Sequence, residues 1–246
     1  MSIALEQLCG DVDALLLDFD GPVCGIFAGY PASQVAGELL DLLRGRAAAV
    51  AERLCGEPDP LEVLRQVGAD RGQAVTAAVE DALIAAEVRA VGTAEPTAYA
   101  RETIVAATHL RWPVAVVSNN SAEAVTAYLR AHRLSGGVAV VVGRPYADPA
   151  RMKPNPAPIL DAAQRLGIEP ARCVLVGDSV TDIEGAHAAG TKVVGYANKP
   201  PKVQAFVAAG ADVVVTSMRD VAQALVRAGG GTSCSARLRP AWCCPV

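Results

Sequence analysis

Two carboxylates stand two residues apart in Leu17-Asp18-Phe19-Asp20-Gly21-Pro22, directly after the apolar run Ala14-Leu15-Leu16-Leu17. Such a run reads as a buried strand, and Gly21 and Pro22 stop it. Like charges held that close at the end of a buried strand repel each other and lose hydration. They belong where a cation and a reaction require them. Three further segments carry complementary groups: Ser118-Asn119-Asn120, Lys153 in Arg151-Met152-Lys153-Pro154-Asn155-Pro156, and Asp178 with Asp182 in Gly177-Asp178-Ser179-Val180-Thr181-Asp182. Carboxylates and a backbone carbonyl suit a hard divalent cation. One carboxylate can attack as a nucleophile while another carries the proton. A hydroxyl, backbone amides and a lysine can hold phosphoryl oxygens. Together the set suits phosphoryl transfer through an aspartyl-phosphate. Asp18 and Asp178 would hold the cation, and Asp20 would protonate the leaving oxygen. Ser118 would bind the phosphoryl group, and Lys153 would balance the charge on it and on Asp18.

These groups need a scaffold that brings distant segments to one edge. Six short runs, 14–19, 113–118, 138–142, 173–177, 192–196 and 212–216, are rich in Val, Leu or Ile and read as buried parallel strands. Ala-rich helical segments lie between most of them, at 97–110, 121–132, 156–166 and 181–189. Alternating strands and helices predict an α/β fold, a parallel sheet covered on both faces. Ligands in such sheets bind beyond the carboxyl ends of the strands, where all four segments fall. The alternation breaks once. Helices near 32–55, 60–67 and 71–91 follow the first strand, and Gly92-Thr93-Ala94-Glu95-Pro96 reads as the return linker. The expected organisation is a core of 1–24 and 93–228, a helical cap of 25–92, and a disordered tail of 229–246.

A chain of 246 residues is long enough for one such core with an insert. Its formal net charge of −4 and the lack of a basic stripe exclude nucleic acid as the main partner. No apolar run is long enough for a membrane helix, and residues 1–10 lack the basic region of a signal peptide. Of seven cysteines, Cys9, Cys24, Cys55 and Cys173 stand singly among apolar neighbours and read as reduced core or near-core thiols. Cys234, Cys243 and Cys244 lack the partners of a metal site. A cytoplasmic protein, monomer or homodimer, is the expectation.

In this order and spacing the four motifs resemble those of the haloacid dehalogenase-like hydrolase superfamily over roughly residues 12–217. Asp18-x-Asp20-Gly21-x-Val23, Ser118-Asn119, Lys153-Pro154-x-Pro156 and Gly177-Asp178-x-x-x-Asp182 match its four motifs in turn. The insert falls where members with a type I cap carry theirs. The resemblance implies a Rossmann-like three-layer core and a Mg²⁺-dependent phosphatase acting on a small phosphorylated metabolite. Asp18 would be nucleophile and metal ligand. Asp20 would be the general acid/base, with its carbonyl on the metal. Ser118 and the Asn119 amide would bind phosphate. Lys153 would stabilise the transition-state charge. Asp178 would bind the metal, with Asp182 behind it or acting through water. An acid at position 20 disfavours carbon–halogen and carbon–phosphorus cleavage.

Plainer roles compete at several positions. Ser118 and Asp182 are also ordinary residues for helix N-termini. His109, His132 and His187 read as surface or helix-end residues, and Arg44 and Arg46 as solvated cap residues. Lys153 is more telling, because the chain has four lysines and otherwise uses arginine. A phosphomutase of the same superfamily shares all four motifs, and a non-catalytic relative would keep the fold. A serine esterase built on Gly177-Asp178-Ser179 would carry that motif near its N-terminus and its histidine base late in the chain, whereas here the motif itself lies late and no histidine follows His187. A nicotinamide site lacks a Gly-x-Gly-x-x-Gly after the first strand.

Overall fold

The computed structural model describes residues 3–70 and 72–230. In chain order the elements are α1 (Ile3–Asp11), β1 (Ala14–Leu17), β2 (Cys24–Gly25), α2 (Ala32–Arg44), α3 (Ala48–Arg53), α4 (Pro60–Asp70) and α5 (Gln73–Ala90). Then come β3 (Glu95–Pro96), α6 (Ala100–His109), β4 (Val114–Val117), α7 (Ala122–Ala131), β5 (Val140–Val142) and α8 (Ala157–Leu166). The chain continues through β6 (Cys173–Gly177), α9 (Val180–Ala189), β7 (Lys192–Tyr196), α10 (Pro200–Ala208), β8 (Val213–Val215) and α11 (Met218–Gly230).

All six predicted strands form one parallel sheet, in the order β5-β4-β1-β6-β7-β8. Leu15 and Leu17 sit in the hydrophobic cluster on one face, while Ala14 and Leu16 sit in the cluster on the other. That alternation follows from the two-residue period of a strand buried on both sides. The first cluster includes residues of α1, α6, α7 and α11, and the second residues of α8 and α9 with Phe206 of α10. The result is the three-layer α/β architecture. Strands are added first on one side of β1 and then on the other. The winding therefore reverses between β1 and β6, opening a crevice at their carboxyl ends.

Helices α2–α5 enclose a separate apolar cluster that includes Val35, Leu39, Leu43, Leu64 and Leu83. The chain enters this insert through β2 and leaves through β3, and the two pair as an antiparallel ribbon. The helix expected over 32–55 is two helices, broken at Gly45–Ala47, and the turn lets Val50 and Ala51 join the same cluster as Leu39 and Leu43. Cys9, Cys24 and Cys173 are buried, but Cys55 is exposed, because it lies in the turn after α3 and not on an apolar face. Gly229 and Gly230 end α11. The rest of the expected tail, 231–246 with its three cysteines, lies outside the described residues.

Candidate active site

The site residues sit where strands end. β1 stops at Leu17, yet the Asp18 amide still donates to the Val176 carbonyl at 2.9 Å, which fixes Asp18 beside β6. Phe19 and Asp20 then leave the sheet into a tight turn, with the Gly21 amide on the Cys24 carbonyl at 2.7 Å. Thr97, just past β3, pins this turn, since its hydroxyl donates to the Gly21 carbonyl at 2.5 Å. Gly21 has φ +107°, and a Cβ there would lie 2.4 Å from Cγ of Asp178, so the backbone approaches that carboxylate as only glycine allows. Asp20 Oδ1 accepts from the Ile26 amide at 3.0 Å.

Lys153 is the hub. Its ammonium is buried and donates to Asp18 Oδ1 at 2.9 Å, Asp182 Oδ1 at 2.5 Å and the Val117 carbonyl at 2.8 Å. Three acceptors satisfy the three donors of an ammonium. Asn119 holds the Lys153 backbone from both sides: its Oδ1 accepts from the Lys153 amide at 2.9 Å and its Nδ2 donates to the Lys153 carbonyl at 3.1 Å. The Asn119 side chain thus positions the lysine. Ser118 lies buried at the end of β4, with its amide on the Val142 carbonyl at 2.9 Å. The N-cap of α7 is Ser121, not Ser118. Asp182 forms a capping box with Ser179 at the start of α9, and Ser179 Oγ donates to Asp182 Oδ2 at 2.6 Å. The Ser179 hydroxyl thus serves as the N-cap of α9.

Asp18, Asp178 and Asp182 offer ligand atoms all within 4.8 Å of one another. Four carboxylates, counting Asp20, face two ammonium groups, Lys153 and Lys202. A divalent cation would balance the difference, and an all-oxygen set suits a hard one. Burial pushes the Asp18 carboxyl up to about 8, with Asp182 and Asp178 adding to the rise against the pull of Lys153. Burial likewise raises Asp20, to about 6, and raises Asp178 despite its contact with Lys202. Burial alone would lower Lys153, but Asp18 and Asp182 outweigh it and keep the ammonium charged. The residues present therefore fit a cation, which would favour the ionised form of Asp18.

Two groups around the site went unassigned from sequence. Lys202 donates to Asp178 Oδ2 at 2.6 Å and to its carbonyl at 2.7 Å, and Asn198 Nδ2 donates to the same Oδ2 at 3.0 Å. Both follow β7, on the edge where ligands bind, and that position was the available signal. The second group is Glu80, Glu87 and Arg144, a buried charge cluster between α5 and the core. Glu80 and Glu87 are seven apart, hence on one face beside the apolar stripe of α5, an unusual place for acids. The three histidines lie at or near helix ends, as expected, with His132 stacked on Tyr128. Arg44 is an exposed partner of Asp41.

A doubly wound parallel sheet with a helical insert after its first strand, and acids around a buried lysine at the switch point, is the build of a capped α/β enzyme core. A family model described as haloacid dehalogenase-like hydrolase matches residues 12–190, and the chain belongs to that family. It is 34% identical to a phosphoglycolate phosphatase of Escherichia coli over 113 residues, 46% of this chain and 44% of that protein, so the match spans less than half of the relative. Its fold is similar to that of a predicted phosphatase from Clostridium acetobutylicum, with a TM-score of 0.69 and 14% identity over 88% of this chain and 99% of the other. A β-phosphoglucomutase from Clostridium difficile is similar at a TM-score of 0.62 and 14% identity over 88% and 98%. No helix among the described residues is long and apolar enough to cross a membrane.

Proposed function

We propose that the chain is a phosphoric monoester hydrolase that works through a phosphorylated Asp18. The observation that carries this reading is the buried Asp18–Lys153–Asp182 cluster beside Asp178 at the switch point. Asp18 attacks phosphorus, the ester P–O bond breaks, and Asp20 gives its proton to the leaving oxygen. Asp20 then takes a proton from a water that attacks the phosphorus, the bond to Asp18 breaks, and inorganic phosphate leaves. Ser118 and the backbone of the turn after it bind the phosphoryl oxygens. Lys153 stays charged throughout, offsetting Asp18 in the resting site and the equatorial oxygens in the transition state. Asp18, the Asp20 carbonyl and Asp178 would hold Mg²⁺, with Asp182 behind them anchoring Lys153. The ion would supply charge neutralisation between an anionic nucleophile and an anionic ester.

The insert is closed over this edge, with Arg65 of α4 donating to the Lys153 carbonyl at 3.3 Å. A closed cap excludes water and reads the leaving group, so the substrate is a small phosphorylated metabolite. The match to a phosphoglycolate phosphatase makes a two-carbon phospho-acid the first ester to try. Asp18→Asn should abolish Mg²⁺-dependent release of p-nitrophenol from p-nitrophenyl phosphate, and wild-type turnover by that variant would overturn the reading. Isomerisation of a sugar phosphate faster than phosphate release would make the protein a mutase instead.

A further inference from the structure

The charge cluster between cap and core does more than hold two parts together. Glu80 and Glu87 are 1% and 0% exposed, and Arg144, just past β5, is 6% exposed. Arg144 Nε donates to Glu80 Oε1 at 2.9 Å, and its Nη1 donates to Glu87 Oε1 at 2.8 Å. Two carboxylates around one guanidinium is a costly way to fasten a helix, and an apolar contact would serve as well. Glu87 has further partners, and all of them lie in the turn after β4. Its Oε1 accepts from Asn120 Nδ2 at 3.2 Å, and its Oε2 accepts from the Ser121 amide at 2.8 Å. Arg144 completes the grip, donating from Nη1 to the Asn119 carbonyl at 2.7 Å and from its amide to the Asn120 carbonyl at 2.9 Å. Asn120 in turn fixes Ser118: its amide donates to Ser118 Oγ at 3.1 Å, and Ser118 Oγ donates to Asn120 Oδ1 at 3.2 Å. An unbroken chain of hydrogen bonds therefore runs from the cap helix to the hydroxyl assigned to phosphoryl binding.

We infer that Glu87, a cap residue, is a positioning residue that sets the geometry of the phosphoryl-binding turn 118–121 in the core. The inference rests on the hydrolase reading given above, since it needs that turn to hold a phosphoryl group. Glu80 supplies the internal control. It shares the burial and the guanidinium, but its bonds reach the turn through Arg144 alone. A role confined to fastening α5 predicts equal consequences for both glutamates, whereas a positioning role separates them.

The test compares Glu87→Gln, Glu87→Ala, Glu80→Gln and Glu80→Ala in the full chain with Mg²⁺ present. Affinity for inorganic phosphate is read by titration calorimetry, alongside competition by phosphate against p-nitrophenyl phosphate and the melting temperature. Loss of a buried bond to a charged acceptor should weaken phosphate binding roughly tenfold in Glu87→Ala and less in Glu87→Gln. The Glu80 variants should stay within about twofold in phosphate affinity even where they melt earlier. Equal shifts in phosphate affinity for the two positions, or none at either, would overturn the inference. If the alanine variants do not fold, the two glutamine variants carry the same comparison. Asp18→Asn distinguishes the levels. Should it retain hydrolysis, both readings fall, but if it is inert while Glu87 and Glu80 behave alike, the positioning role alone falls.

Discussion

Replacing Lys153 by methionine keeps most of the side-chain volume and removes the ammonium that three acceptors share. Asp18 and Asp182 are then left against each other in a dry site, and removing one partner of such a buried pair costs ~3–5 kcal/mol. For a chain of this size ~1 kcal/mol moves the melting temperature by ~2–4 °C, so the variant should melt ~6–20 °C below the wild type near pH 8. The deficit should depend on pH in a defined direction. The folded Asp18 carboxyl, at about 8, titrates above its unfolded value of roughly 3.9, so its ionisation opposes folding. Its contribution to stability is complete below the unfolded value and is lost as pH rises through the folded one. Without Lys153 the folded value climbs further. Lys153 is raised above the ordinary lysine range, so its own contribution fades only at alkaline pH and adds no slope between pH 5.5 and 8. The gap to the wild type should therefore be larger at pH 8 than at pH 5.5. Thermal unfolding followed by circular dichroism in metal-free buffer at the two pH values measures it. A deficit under ~3 °C at pH 8, or one that widens toward acid, would refute the hub assignment.

Magnesium should stabilise the protein, by ~2.7 kcal/mol at a hundredfold excess over its dissociation constant, and more at pH 8 than at pH 5.5, because it competes with the proton on Asp18. A gain that shrinks as pH rises, or that survives Asp178→Asn unchanged, would contradict the cation site. With Mg²⁺ saturating, so that Asp18 is ionised throughout, and with Asp20 raised to about 6, kcat/KM for an alkyl phosphate such as β-glycerophosphate should fall as pH climbs past that value and the acid loses its proton. Asp20→Asn should lower kcat/KM, which reports formation of phospho-Asp18 and not its hydrolysis, by ~10²–10⁴-fold for such an ester and much less for p-nitrophenyl phosphate, since nitrophenolate leaves unaided; equal losses of kcat/KM on both would remove the acid role. Gly21→Ala adds a Cβ 2.4 Å from Asp178 Cγ at a φ of +107°, so it should both destabilise the fold by more than ~1 kcal/mol and weaken Mg²⁺ binding in a calorimetric titration. Normal Mg²⁺ affinity in that variant would show that the approach of Gly21 to Asp178 has no part in holding the ion.

The sheet was legible because its signal is collective: six runs of buried β-branched and leucine residues recur with helices between them, and each became a strand. Their predicted ends ran one or two residues long at Phe19 and Ser118, where apolar or polar character continues but the ladder has already given way to the site. β2 and β3 were beyond reach, because two residues make no pattern and their pairing is a contact between distant segments. Helices α1 and α10 carry weak apolar periodicity, and Pro200-Pro201 at the start of α10 reads as a break, whereas α11 has the legible stripe Met218, Val221, Ala222 and Leu225, all buried, and its pattern alone would have placed it. At the site, the groups with distinctive chemistry could be read. Glu87, Asn198 and Lys202 carried only positional signals and Arg144 none, because a polar or charged residue on a helix or after a strand is ordinarily solvated, and folding shows which ones are enclosed.

The cluster also explains why two different lysines serve it. Gathering four carboxylates at one strand edge opposes folding, and the two ammonium groups offset part of that cost. The Lys153 side chain is 2% exposed and held by three acceptors, while the Lys202 side chain is 29% exposed and reaches Asp178 from α10. Water screens the second pair and weakens it, whereas releasing the first would strand a buried charge. A cation held by Asp18 and Asp178 would therefore compete more easily with Lys202 than with Lys153. Lys153 would remain in place to meet phosphoryl oxygens, since Asp182, fully enclosed and tied to Ser179 and Lys153, anchors it. On the hydrolase reading the enclosed ammonium would face the phosphoryl group, and the half-buried one would yield Asp178 to the ion.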